Sequence, residues 1–314
     1  MTTTFRPQII PASLSLEDAP RPHWRRAAPL PPKGKGRYIC PETGVRFYPI
    51  PDGQGGEIAV PGATSILSDN DTPSDKKRLA DWKAREIAAG RDPNEGRDRG
   101  TLVHELLERH IGGSLQLHNA GIDDEHDKIT AYASGMERFL RPYTRFIWNE
   151  GPLVNGWEHC FSEPDENGER LPRVWSSVWG FAGTPDLIAS RPLAPRIVCA
   201  QKGVQTVNIL SDFKTSTRPY FRALKGRVPQ HHMTGWLKYK KTSRQLCGYK
   251  LAVEETLGIP IHYLQVIVGL PEVGKAQMFY LRQHEVLQET ENFKQCCVRF
   301  WGRRATRAAQ LEAA

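Results

Sequence analysis

The stretch 209–215, Ile-Leu-Ser-Asp-Phe-Lys-Thr, most constrains how this chain can fold. It predicts a short strand that leads into a polar, basic region. Strand alternation places Asp212 and Lys214 on one face with Leu210, and Ile209 and Phe213 on the other. A carboxylate can hold Mg²⁺, and a neighbouring ammonium can orient a water or stabilise charge that develops on a phosphate. Asp-x-Lys is also common as an exposed ion pair, so the surrounding motifs decide its meaning.

Three other short patterns accompany this strand in the sequence. Gly100-Thr101 opens a predicted helix that carries His104, and Gly183-Thr184-Pro185-Asp186-Leu187-Ile188 predicts a second short apolar strand that carries one carboxylate. Farther along, Gln245 and Tyr249 lie one helical turn apart. Asp186 and Asp212 fit neighbouring strands of one sheet, where two carboxylates repel each other unless a divalent cation neutralises them. The spacing therefore favours a metal site over an acid–base dyad.

In chain order these patterns are Gly-Thr-x-x-His, Gly-x-x-Asp, Asp-x-Lys and Gln-x-x-x-Tyr. Together they resemble the PD-(D/E)XK nuclease superfamily, within it the RecB-like exonuclease branch, and are similar to mitochondrial genome maintenance and phage-type exonucleases. The resemblance covers roughly residues 58–265. It implies an α/β protein with a restriction-endonuclease-like core, in which helices flank a central mixed β-sheet. It also implies hydrolysis of phosphodiester bonds, foremost at single-stranded DNA ends, in DNA repair, recombination or replication.

The same resemblance implies a role for each motif residue. One or two Mg²⁺ or Mn²⁺ ions would be held by His104, Asp186, Asp212 and the backbone carbonyl of Phe213. Lys214 would orient the attacking water, which makes the expected catalytic set Asp186, Asp212, Lys214 and His104. Glu158, on an expected strand over 154–161, is a further candidate ligand, with an ordinary strand glutamate as the alternative. No iron–sulfur cluster is expected because the late cysteine spacing of some relatives is absent, and no zinc because Cys-x-x-Cys is absent.

A basic stretch joins the Asp-x-Lys strand to the Gln-x-x-x-Tyr helix. Residues 214–250 contain ten Lys and Arg and neither Asp nor Glu. Such a block is the footprint expected for a polyphosphate partner, and the alternative is a solvated basic face. The expected DNA contacts are Gln245, Tyr249, Arg244, Lys238, Lys241 and Thr215.

Composition sets the broader expectations. The chain has 314 residues, a net charge of +8 and a mean hydropathy of −0.52, and no apolar run is long enough to span a bilayer. We expect a disordered, basic, Pro-rich arm over 1–36, the nuclease domain over 37–301 and a basic tail over 302–314. Scattered cysteines fit a reducing compartment. The expected location is cytoplasmic, of bacterial or phage type, with an organellar matrix as the alternative.

Hydrophobic periodicity predicts the helices around the motifs. We expect an amphipathic helix from Asp75 to Gly90 with Leu79, Trp82 and Ile87 as its apolar side. Further helices are expected over 124–148, 234–257 and 284–301.

Other functions remain open at this point. A site-specific endonuclease shares Asp-x-Lys, although the His and Gln-x-x-x-Tyr motifs favour the exonuclease branch. A CRISPR-adaptation nuclease is disfavoured by the missing cysteine pattern. A non-catalytic DNA-binding clamp on the same fold is an alternative from another class, and a metalloprotein unrelated to nucleic acid would leave the basic block unexplained.

Overall fold

The computed structural model of the protein describes residues 28–29, 37–41, 43–115, 117, 124–162, 164, 168, 170–193, 206–223, 227–272 and 275–312. The expected N-terminal arm lies outside these residues except for 28–29. In chain order the elements are β1 (Tyr38–Ile39), β2 (Arg46–Pro51), β3 (Glu57–Pro61), α1 (Ala63–Asp69), α2 (Pro73–Ala88), α3 (Glu95–Ile111), α4 (Asp124–Glu137), β4 (Arg145–Asn149), β5 (Val174–Ser176), β6 (Phe181–Gly183), β7 (Leu187–Pro192), β8 (Thr206–Thr215), α5 (Met233–Leu257), β9 (Tyr263–Gly269), β10 (Ala276–Tyr280) and α6 (Gln283–Glu312).

Five strands form the central sheet in the order β10-β9-β8-β7-β4. β8 and β9 run parallel, and the other neighbours are antiparallel. The parallel pair requires a crossover, which α5 supplies. This arrangement confirms the expected α/β class, a mixed sheet flanked by helices.

The two faces of the sheet contribute to two separate hydrophobic cores. Leu210 and Val266 pack in the core formed with α1, α5 and α6. Ile209 and Phe213 pack in the core formed with α3 and α4. Since neighbours along β8 enter opposite cores, the predicted alternation of this strand is confirmed. Its polar side chains at 212 and 214 therefore emerge on the α5 side, at the end of the strand.

Two small sheets complete the fold beside the central one. β1, β2 and β3 form an antiparallel sheet, and β5 pairs with β6. A bridge between Gly62 and Ala182 joins these two units. The main chain of Pro29 accepts a hydrogen bond from Ala59 N at 3.0 Å, so this part of the expected arm contacts β3.

Helix α2 occupies the segment where an amphipathic helix was expected, but its apolar side faces outward. Leu79, Trp82 and Ile87 are 52%, 39% and 64% exposed, and no residue of α2 is buried. A capping box between Thr72 and Asp75 starts the helix. A helix over this segment was expected and is present, and its apolar side chains are exposed instead of packed on the core.

Three other boundaries differ from the expected ones. The helix expected over 124–148 ends at Glu137, and β4 follows it. The strand expected over 154–161 is absent from the structure of these residues, and Glu158–Cys160 instead forms a short 3₁₀ helix. The last helix continues to Glu312, where a tail was expected, and Arg303 on it pairs with Asp69. No helix in the described part of the chain has the length and apolar character needed to cross a membrane.

A buried carboxylate links the two long helices α5 and α6. Glu289 on α6 is fully buried and accepts a hydrogen bond from Arg244 Nε at 3.0 Å. Lys240, one turn earlier on α5, pairs with the same carboxylate. The charged contact therefore fixes how α5 packs on α6.

We predict that Glu289→Ala lowers the free energy of unfolding by about 2 kcal/mol. The value is below the ~3–5 kcal/mol of a broken, fully buried pair, because the Lys240 and Arg244 side chains are 28% and 30% exposed. Urea unfolding should show a lower midpoint with an unchanged slope. Glu291→Ala, at an exposed position on the same helix, is the control and should change stability by less than about 0.5 kcal/mol. Equal losses in the two variants would contradict a structural role for the Glu289 pair.

Candidate metal centre

The strand register brings three acidic residues into one row. Asn149 pairs with Leu187 between β4 and β7, and Leu187 pairs with Ser211 between β7 and β8. One residue farther along, Glu150 and Asp212 therefore flank Asp186 on either side. Glu150 N donates to the carbonyl of Asp186 at 2.9 Å, which continues the pairing beyond the last registered pair. The expectation that Asp186 and Asp212 lie on adjacent strands is confirmed.

Helix α3 adds His104 to this row. Its Nδ1 lies 2.6 Å from Glu150 Oε1, and its Nε2 lies 3.2 Å from the carbonyl of Phe213 and 4.0 Å from Asp186 Oδ2. The Asp186 carboxylate also accepts a hydrogen bond from Phe213 N at 2.6 Å. Ligand atoms of His104, Glu150 and Asp186 all lie within 4.8 Å of one another.

The protonation of His104 reflects the charge around it. Burial disfavours the charged imidazole, but the carboxylates of Asp186 and Glu150 outweigh burial and raise the pKa of His104 to about 9. Both ring nitrogens face acceptors, which fits an imidazolium that donates from each nitrogen. Burial and the charges of Glu150 and Glu105 also raise the pKa of Glu108. The cluster thus carries more negative charge than its own residues neutralise.

This donor set fits a divalent metal ion. Two carboxylates and a main-chain carbonyl supply the oxygen ligands that Mg²⁺ and Mn²⁺ prefer, and the imidazole suits Mn²⁺ better than Mg²⁺. The residues that would hold it are His104, Glu150, Asp186 and the carbonyl of Phe213. In the metal-free protein, the proton on His104 balances part of the charge that a cation would balance.

Asp212 is turned toward a different set of partners. It is 1% exposed, and its Oδ2 lies 2.5 Å from Lys214 Nζ. Gln245 Nε2 donates to Asp212 Oδ1 and to Tyr249 Oη, each at 3.3 Å. The sequence-predicted Gln and Tyr therefore reach the Asp-x-Lys strand, but Asp212 is not part of the His104–Glu150–Asp186 cluster.

The ion pair fixes the protonation of Lys214. Burial alone would lower the pKa of its ammonium, but the carboxylates of Asp212 and Asp186 outweigh burial and raise that pKa. Burial raises the pKa of Asp212 above its ordinary value, while Lys214 opposes that shift. Lys214 is therefore a cationic donor at neutral pH and not a base.

Two motif glycines allow the motifs to pack against one another. A Cβ at Gly183 would lie 2.6 Å from the Tyr249 ring, so the Gly-x-x-Asp turn requires glycine to approach α5. A Cβ at Gly100 would lie 3.6 Å from Thr215 Oγ1, so α3, which begins at Glu95 and not at the expected Gly100, passes close to the end of β8. Trp148 Nε1 donates to the carbonyl of Pro185 at 2.8 Å and holds the turn before Asp186.

Glu150 is the site residue that sequence reasoning missed, and Glu158 was proposed in its place. Glu158 is exposed in the 3₁₀ helix, and its carboxylate accepts a hydrogen bond from Gly156 N at 3.0 Å, within its own loop. Glu150 has φ +50°, a left-handed conformation that costs a non-glycine residue about 1–2 kcal/mol. Strained backbone of this kind clusters at functional sites. The strand-like 145–149 run, followed by Glu-Gly-Pro, was the available signal.

Tertiary pairing neutralises much of the basic block. Lys241 Nζ lies 2.8 Å from Asp71, and Arg244 pairs with Glu289. Acids that lie elsewhere in the sequence also pair with other cations of the stretch: Arg222, Lys240 and Lys250 contact Glu285, Glu289 and Glu254, respectively. Arg244 and Lys241, two of the expected DNA contacts, are therefore held in internal pairs.

A smaller group of cations lies beside the end of β8. Lys238 Nζ donates to Ser216 Oγ at 3.1 Å, and burial together with the charges of Arg218 and Arg99 lowers the pKa of Lys238. Lys238 is exposed as a whole residue although its ammonium is partly desolvated, and Arg218 is exposed. Neither cation forms an ion pair with a carboxylate within the part of the chain that the structure describes. Thr215 is half-buried next to them. Lys238 and Arg218 therefore retain part of the positive charge that the sequence predicted, close to the His104–Glu150–Asp186 cluster.

No protein-family model matches the chain, and no curated protein matches its sequence significantly.

We predict that His104 titrates with a pKa of about 9 in the metal-free protein. Because this value lies above the ordinary one of about 6.5, His104 stabilises the fold fully below pH ~6.5 and progressively less as the pH rises through about 9. NMR of the imidazole in EDTA measures the pKa directly. Glu150→Gln should lower this pKa, because a negative charge that favours the imidazolium is lost.

Glu158→Gln is the matched control for this titration, since Glu158 bonds only within its own loop. It should leave the His104 pKa unchanged. An equal decrease in both variants would contradict the placement of Glu150 at the imidazole.

Proposed function

We propose that the protein is a metal-dependent deoxyribonuclease of the PD-(D/E)XK type, with a restriction-endonuclease-like core of the RecB-like branch. The observation that carries this proposal is the convergence of His104, Glu150 and Asp186, within 4.8 Å of one another, beside the ammonium of Lys214. Hydrolysis from single-stranded DNA ends is the finer part of the proposal, and it rests on the four-motif resemblance. The Asp212–Lys214 pair and its support by Gln245 add a second feature that a simple surface carboxylate cluster would not need.

The side chains divide the chemical work. His104, Glu150, Asp186 and the carbonyl of Phe213 would hold a Mg²⁺ or Mn²⁺ ion. Such an ion would polarise the scissile phosphate and lower the pKa of a coordinated water. Lys214, kept charged by Asp212, donates hydrogen bonds to the water or to the phosphate oxygen on which negative charge increases.

Asp212 acts through Lys214 in this scheme. Its Oδ2 pairs with the Lys214 ammonium, and its Oδ1 accepts a hydrogen bond from Gln245 Nε2. The pair is thus preorganised, so little reorganisation is required when charge develops on the phosphate.

We predict that Lys214→Ala lowers the cleavage rate by about 10²–10³-fold, because it removes a donor that acts mainly in the transition state. The assay uses end-labelled single- and double-stranded oligonucleotides with Mg²⁺, Mn²⁺ or EDTA. Lys275→Ala is the control, since Lys275 is exposed and paired with Glu272 on the β9–β10 connection. DNA binding by Lys214→Ala should be largely retained. A wild-type protein that binds DNA but cuts it with neither metal would instead support the non-catalytic clamp.

We also predict that the salt dependence of single-stranded DNA binding identifies the cations that contact phosphate. Lys238→Gln and Arg218→Gln should each reduce the slope of log K against log salt by about 0.7, the value for one phosphate contact on a single strand. Lys241→Gln should change it less, because its ammonium already pairs with Asp71. The reverse order would show that the strand follows the outer surface of α5 and not the end of β8.

A further inference from the structure

A cavity of about 260 Å³ adjoins the His104–Glu150–Asp186 cluster, on the side of the β1–β3 and β5–β6 sheets. Arg37, Arg46 and Thr64 line it from the β1–β3 unit and the start of α1, and Thr184 lines it from the Gly-x-x-Asp turn. Glu150 belongs both to this lining and to the cluster with His104. The cavity is therefore continuous with the place where the proposed reaction occurs.

Two arginines without acidic partners give the cavity its chemical character. Neither Arg37 nor Arg46 forms a salt bridge with a described carboxylate, whereas Arg173 nearby pairs with Glu57. Guanidinium groups present a planar set of donors that matches phosphate and carboxylate oxygens, so two of them at one cavity favour an anion. The hydroxyl of Thr64 adds a donor of the kind that completes such sites, whereas that of Thr184 donates to the carbonyl of Pro172 at 2.7 Å.

The backbone that carries Arg46 is firmly held. Gly62 N donates to the carbonyl of Arg46 at 2.8 Å, and Arg46 N donates to Ser65 Oγ at 3.2 Å. These bonds attach β2 to the start of α1, so the wall of the cavity is built by two elements locked together. Tyr48, buried on the same strand, also lines the cavity and would touch a Cβ at Gly62 at 3.1 Å. A site with a fixed wall binds its ligand with less loss of conformational entropy.

The size of the cavity limits what can occupy it. Pockets for drug-sized ligands measure about 300–1,000 Å³, so this cavity suits a phosphate group with part of one nucleotide. A duplex does not fit inside it. If the adjacent cluster binds one phosphate of a strand, the next phosphate along that strand is an anion that could reach the cavity.

We propose that this cavity is a subsite for a terminal phosphate of the DNA strand being cut, held by Arg37 and Arg46. This proposal rests on the proposed nuclease function for the source of the phosphate. A strand end anchored there would place the phosphodiester next along the strand at the His104–Glu150–Asp186 cluster. Cleavage would then occur at a fixed, short distance from the strand end, and the products would be short.

The test measures binding without cleavage, so that it does not depend on the reaction. Fluorescence anisotropy in EDTA compares three single-stranded oligonucleotides of one sequence, with a 5′-phosphate, a 3′-phosphate or hydroxyl groups at both ends. We expect a phosphate at one end to tighten binding by about tenfold, which corresponds to one charge-assisted contact. Arg46→Gln and Arg37→Gln should each reduce that advantage, and the double variant should abolish it while hydroxyl-ended DNA binds as before.

Arg141→Gln is the matched control, because Arg141 is exposed and pairs with Glu137 after α4, away from the cavity lining. Unfolding midpoints equal to wild type establish that each variant is folded. If Arg46→Gln does not fold, Arg37→Gln alone provides the test. Equal affinity for all three oligonucleotides, or an advantage that survives in the double variant, would overturn the proposal. A phosphate advantage without metal-dependent cleavage would retain the subsite and reject the nuclease, whereas cleavage without the advantage would reject the subsite alone.

Discussion

The antiparallel pairing of β4, β7 and β8 is the constraint on which the candidate site depends. Glu150 directly follows β4, Asp186 directly precedes β7, and Asp212 lies within β8. The register sets these three residues side by side. A shift of one residue would turn the side chains of a strand to the opposite face, so the same pairing that buries Leu187 and Ile209 also positions the carboxylates. The stability of the core and the geometry of the site are therefore determined together.

Concentrating negative charge at one sheet edge is costly, and the protein offsets this cost on each side of the row. On the α3 side, protonated His104 donates one hydrogen bond to Glu150 and one to the carbonyl of Phe213. On the α5 side, Lys214 pairs with the buried Asp212. A divalent cation bound beside Glu150 and Asp186 would neutralise two carboxylates at once.

Short-range patterns predicted some features of this site and not others. The alternation in 209–215 predicted that Asp212 and Lys214 share a face, and the Gln245–Tyr249 spacing predicted that both side chains act together. Glu150 was missed because the apolar residues of 129–140 have helical spacing, which extended the expected helix through β4. Helix α4 ends at Glu137, and pairing with β7 determines the structure of 145–149. The neutralisation of Lys241, Arg244 and Lys240 depends on acids at positions 71 and 289, which no local pattern reveals.

The most direct test of this account is the location of manganese in crystals of the protein soaked with Mn²⁺, measured by anomalous scattering. The account predicts a peak bounded by the side chains of His104, Glu150 and Asp186, and loss of that peak in crystals of Glu150→Gln. A peak within the same triangle in that variant would show that Glu150 is dispensable as a ligand. No peak among these residues in the wild-type protein, or manganese bound only elsewhere, would contradict the claim that the sheet edge is a metal centre.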